Sequence, residues 1–107
     1  MLEVLQHNFF TEAEAAGDGR ALENFLCDDL TIAVSGTFTG LAAKVYGKLG
    51  EDWYELGLLN CTSLEVTDTI EDVGMFKVGA VSGCEEVKVT ISAITSGKVT
   101  IIGRLLG

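Results

Sequence analysis

The sequence predicts an α+β fold, with helices first and a bent, mostly antiparallel sheet after them. Three observations predict it. Apolar residues recur every three or four positions along much of the first 59 residues, which is helical spacing. From Asn60 onward they recur every two, which is strand spacing. The length of 107 residues suits one domain, with one core and at most one modest cavity.

Leu2, Leu5, Phe9, Ala13 and Ala16 share one face of a helix over 2–16, and Gly17 ends it as a left-handed cap. Asp18 caps a second helix with Leu22, Phe25 and Leu26 on its apolar face. Asp28 and Asp29 read as the turn that opens a strand over Leu30–Ser35. Gly36–Gly40 is a loop, and 41–59 returns to helical spacing through Leu41, Val45, Leu49, Trp53 and Leu56. Gly47, Gly50 and Gly57 weaken that helix, each by up to about 1 kcal/mol. Strands follow at 61–69, 72–81, 85–95 and 98–106, separated by Thr69-Ile70-Glu71, Ser82-Gly83 and Ser96-Gly97. The third alternates most cleanly, with Val87, Val89, Ile91 and Ala93 on one face and Lys88, Thr90 and Ser92 on the other.

Sixteen acidic residues against seven basic ones leave a formal charge of −9. That field repels a phosphate backbone and an anionic membrane surface, so neither nucleic acid nor membrane is an expected partner. Cys27, Cys61 and Cys84 are odd in number and widely spaced, which suits free thiols in a reducing compartment better than disulfides. With a single histidine in the chain they do not make a zinc site either. No signal peptide and no apolar run of membrane-spanning length is evident, so a cytoplasmic location is expected.

The order of helix, "AGDGRALENFLCDDLTI", glycine loop, helix and four strands resembles the nuclear transport factor two-like superfamily, in its SnoaL-like and ketosteroid-isomerase-like branch. The Gly17-Asp18 break, the Asp28-Asp29 pair, Gly40 and the "SGKV" hairpin at 96–99 carry the likeness over nearly the whole chain. It implies a single SnoaL-like domain over 1–107, a cone-shaped barrel whose N-terminal helices and bent sheet enclose a pocket, and no cofactor. The positions at which isomerase-like members carry a donor, a base and an acid are here Phe10, Val34 and Val89, none of which can move a proton. The expectation is therefore an apolar pocket that binds a small hydrophobic molecule, lined by Phe10, Val34, Tyr46, Trp53, Tyr54, Val89 and Ile91. An isomerase, cyclase or hydrolase using His7 with Asp68 or a tyrosine hydroxyl is the alternative, and a structural dimer with a filled cone is another. The sheet face away from the helices, with Lys88, Thr90 and Ser92 beside Phe76 and Val78 or Ile102 and Leu106, is expected to pair two copies.

Overall fold

A computed structural model describes residues 4–23, 29–79 and 81–106. The described chain is nearly all strand: β1 (Val4–Ala13), β2 (Gly17–Asp18), β3 (Leu22–Glu23), β4 (Asp29–Thr39), β5 (Ala42–Leu49), β6 (Asp52–Glu55), β7 (Leu58–Asn60), β8 (Val66–Thr67), β9 (Gly74–Val78), β10 (Glu86–Ala93) and β11 (Ser96–Leu106). A single 3₁₀ turn over Val81–Gly83 is the one helical element among the described residues. Six strands form one antiparallel sheet in the order β1-β11-β4-β9-β7-β8. The other sheet runs β2-β10-β5-β6, with β3 continuing the β2 edge along β10.

The α+β cone-shaped barrel is thus corrected to two stacked sheets that do not close into a barrel. The expected first helix is β1 with β2 behind it, and the expected helix over 41–59 is β5, β6 and the start of β7. Leu2, Phe25 and Leu26, which carried other parts of the helical reading, lie outside the described residues, as do Cys27, read as a free thiol, and Asp28, read with Asp29 as the turn that opens a strand.

The reason for the correction lies in the spacing. Leu5, Phe9 and Ala13 are four apart, and so are Leu41, Val45, Leu49 and Trp53. A step of four returns to nearly the same face of a helix and to the same face of a strand. The tie is broken by what lies between them. In β5, Ala43 and Gly47 join Val45 on the buried face, while Lys44, Tyr46 and Lys48 alternate outward. Gly47 has to be small, because a Cβ there would collide with Cys84 Sγ and come within 3.1 Å of Leu56 Cδ1.

The inner faces of the two sheets meet in one core. The six-stranded sheet contributes Leu30, Ile32 and Val34 from β4, Phe76 and Val78 from β9, and Val99, Ile101 and Leu105 from β11. The other sheet contributes Val45 from β5 and Val87, Val89 and Ile91 from β10. The sheets are laced at two sides. Gly19 N–H donates to Val89 O at 2.8 Å and Arg20 N–H to Phe9 O at 3.3 Å, which ties β10 to β1. Ile70, read from sequence as a turn residue, is fully buried and exchanges two backbone hydrogen bonds with Ala43 at 2.7 and 3.0 Å. A register shift between Asn8 and Phe10 makes a bulge in β1, so the consecutive rings of Phe9 and Phe10 both reach the core.

Candidate functional surfaces

Val34, Val89 and Ile91 are 4%, 0% and 1% exposed, inside the closed interface between the sheets. Phe10 is half-buried, its ring lying against Gly19, where a Cβ would come within 2.8 Å of it. These four side chains fill the core.

His7 and Asp68 are not brought together. His7 is on β1 and Asp68 follows β8, at the two ends of the six-strand order. Five strand spacings separate those edges, on the order of 24 Å. His7 Nε2 lies 2.9 Å from Arg20 O. A carbonyl can only accept, so Nε2 carries the proton and donates. The ring also meets Phe9 edge-on at 4.7 Å between centroids. His7 therefore fastens the Gly19–Arg20 crossing to β1.

The aromatic residues divide as well. Trp53 and Tyr54 are consecutive in β6 and point to opposite faces, as neighbours in a strand must. Trp53 and Tyr46 are half-buried on the outer face of the β2-β10-β5-β6 sheet. Register places Tyr46 opposite Lys88 and Lys48 opposite Trp53. The Lys88 ammonium lies 4.5 Å from the Trp53 ring centroid and 6.0 Å from that of Tyr46, at cation–π range.

Lys88 Nζ also reaches Asp18 Oδ2 at 3.4 Å. The Thr90 hydroxyl donates to Asp18 Oδ1 at 2.7 Å. That hydrogen bond first, and Lys88 second, hold the Asp18 carboxyl below its ordinary range. Lys44 pairs with Glu55 at 2.7 Å, which raises the ammonium above its ordinary value, and Lys48 reaches Glu86 at 3.4 Å. Lys44, Lys48 and Lys88 on this face are thus each paired with a carboxylate.

The residues expected on one outer face are split. Lys88, Thr90 and Ser92 lie outward on the sheet just described, Ile102 lies outward on the six-stranded sheet, and Phe76 and Val78 point into the core.

The outer face of the six-stranded sheet differs in character. It holds a depression of about 420 Å³. Ala33, Ile102 and Met75 make its floor, and Gln6, Asp29, Thr31 and Arg104 its polar part. The register explains the grouping. Gln6, Arg104, Thr31 and Lys77 form one cross-strand row, and Asn8, Ile102, Ala33 and Met75 form the row two residues away. Lys77 Nζ pairs with Asp29 Oδ2 at 3.0 Å. Met75 is 48% exposed, a large apolar side chain open to solvent beside this floor. The one available signal was the outward alternation of Thr31, Ala33 and Ile102 along their strands; nothing in the sequence alone says that those strands are neighbours.

The fold and these surfaces define a two-sheet antiparallel β-module with a packed interior and its solvent-facing chemistry on the outer sheet faces. Two solved structures share that fold. The SPBc2 prophage-derived protein YomS superposes with a TM-score of 0.91 over 100% of this chain and 96% of that chain, at 18% identity. The PBSX exported protein XepA superposes with a TM-score of 0.93 at 19% identity, over 99% of this chain and 38% of that chain. The likeness is one of fold. No family model matches the sequence, and no curated protein matches it.

Proposed function

We propose that the chain is a binding module, not an enzyme, and that it holds a small, largely apolar molecule in the depression on the outer face of the six-stranded sheet. The carrying observation is that depression, about 420 Å³ with an apolar floor and a few polar groups beside it. Its volume and mixture of groups are those of small-molecule sites. The separation of His7 from Asp68 and the engagement of His7 Nε2 with a carbonyl speak against the acid–base alternative. The neighbours of known fold, a prophage-derived protein and an exported protein, are compatible with a module that works through its surface.

Amide shift mapping with octyl glucoside, a neutral probe, kept below its micelle concentration tests the reading. Millimolar probe is expected to move Thr31, Ala33, Met75 and Ile102 and to leave Lys44, Tyr46 and Lys88 in place. Met75→Ser should weaken binding while changing stability by less than about 0.5 kcal/mol, because the side chain is largely exposed. Shifts scattered over both sheets, or none at that face, would overturn the reading.

Self-association of two copies is a second reading, favoured by one observation. β8 ends the six-strand order, and Val66 on it and Leu64 just before it are 81% and 73% exposed. A free strand edge flanked by exposed apolar side chains is a template for pairing. Light scattering at micromolar concentration is expected to give twice the 11.3 kDa chain mass, reduced to one chain by Val66→Lys. A mass of one chain for the unaltered protein at every concentration excludes this second reading.

A further inference from the structure

We propose that the depression selects an amphiphilic monoanion, a carboxylate on a short apolar body, with Arg104 as the group that recognises its charge; this rests on the reading of the depression as a binding site. Four of the seven basic residues, Lys44, Lys48, Lys77 and Lys88, are paired with carboxylates. Arg20, Lys98 and Arg104 form no ion pair among the described residues, and of these three only Arg104 lines the depression.

Its cross-strand neighbours are Gln6 on β1 and Thr31 on β4, both neutral. Asp29, on the same face of β4, is engaged by Lys77 at 3.0 Å. In a chain with sixteen acidic residues, an exposed guanidinium flanked by an amide and a hydroxyl is a vacancy for an acceptor. The planar fork of arginine fits a carboxylate with two parallel hydrogen bonds, and the Thr31 hydroxyl and Gln6 amide add neutral donors beside it.

The register sets the rest of the ligand. The apolar row of Ile102, Ala33 and Met75 lies two residues along the strands from the Arg104 row. That is about 7 Å from head group to floor, so the body attached to the carboxylate is a short alkyl chain or a single ring. Arg104, the one basic residue lining the depression, forms no ion pair among the described residues and suits one negative charge. The −9 charge of the chain disfavours polyanions further, although at physiological salt its field is screened beyond about 8 Å.

The test compares octanoate with octyl glucoside and octyltrimethylammonium on the full chain, each read by amide shifts at Thr31, Ala33 and Ile102. Octanoate is expected to bind about tenfold more tightly than the neutral probe, the size of one charge-assisted hydrogen bond at a solvent-facing site. Arg104→Gln should remove that advantage, bringing the affinities for octanoate and octyl glucoside to about the same value with the melting temperature unchanged, and Arg104→Lys should keep part of it. Equal binding of the anionic and neutral probes, or an octanoate advantage that survives Arg104→Gln, overturns the role of Arg104 and leaves the binding face standing. Absence of shifts at that face with all three probes overturns the face itself. An apolar peptide with a free C-terminal carboxylate that displaces octanoate at lower concentration, while its amide-capped form does not, would replace the small molecule by a partner chain's terminus and overturn the choice of occupant.

Discussion

Val89→Asp is expected to leave the protein unfolded, or barely folded, at pH 7. Val89 is 0% exposed in β10, opposite Val45 of β5, which is also 0% exposed, and its carbonyl accepts the Gly19 N–H that laces the two sheets. An aspartate side chain there enters a core made of aliphatic and aromatic groups. Burying even its neutral form without a hydrogen-bond partner costs roughly 2–7 kcal/mol, and the valine contacts are lost in addition. A domain of this size has about 5–15 kcal/mol in all.

The pH dependence gives the effect a signature. Burial holds the introduced carboxyl protonated in the folded chain, while the unfolded chain ionises near about 3.9. The unfolded state then binds fewer protons, so stability falls as pH rises from about 4 through the folded-state pKa. The variant should melt higher at pH 4 than at pH 7. Ser92→Asp, exposed on the outward face of the same strand, should cost less than about 1 kcal/mol. Fluorescence of Trp53, the only tryptophan, reports the melts. An unchanged melting temperature for Val89→Asp would show that β10 does not present this face to the core.

The strands of the last third of the chain are legible because their alternation is uncrossed by any competing period. The expected strands at 72–81, 85–95 and 98–106 overlie β9, β10 and β11. Val87, Val89 and Ile91 do turn inward, and Lys88, Thr90 and Ser92 outward. The first half misleads because its large apolar residues step by four. A step of four misses a full helical repeat by about 40° and coincides with two strand repeats, so it suits both elements. The residues that decide for the strand are the small ones between, Ala43 and Gly47, which carry little hydrophobic signal. Gly47, Gly50 and Gly57 were the physical warning, since each is unfavourable in a helix. Gly50 in fact takes a left-handed φ of +71° in the two-residue link between β5 and β6.

The depression was illegible for a different reason. Thr31, Met75 and Arg104 come from strands far apart in sequence, and only the pairing of β4 with both β9 and β11 puts them on one face. Alternation tells which residues of a strand share a face; it does not tell which strands are neighbours. The resemblance supplied a topology in place of that missing information, and its helices set Phe10, Val34 and Val89 around a pocket. In the two-sheet arrangement the same apolar character makes these residues core. That they cannot move protons holds in either fold, because it follows from the side chains alone.

Gly36→Ala is expected to lower the melting temperature by about 10–20 °C, from a loss of about 2–4 kcal/mol. Two costs combine. Gly36 has a φ of +118°, where a residue with a Cβ is strained. An added Cβ would also collide with Lys98 O and come within 3.3 Å of Val99 Cα. Those are backbone atoms of β11, which register holds opposite Ser35, Gly36 and Thr37 of β4, so they cannot swing aside as a side chain would. Gly97 faces the same constraint from the other strand, with a φ of +90° and its Cβ position against Thr37 O. The two glycines thus allow β4 and β11, the longest strands among the described residues, to stay paired where their backbones approach. Gly57→Ala is the counterpart. Gly57 has no left-handed φ and no atom within 4 Å of an added Cβ, so alanine there should be neutral or stabilise by up to about 1 kcal/mol through the unfolded chain. Denaturant titrations of the two variants, followed through Trp53, separate these cases. Equal small effects at both positions would mean that β11 does not approach Gly36 as described, and the pairing that also brings Arg104 beside Thr31 would fall with it.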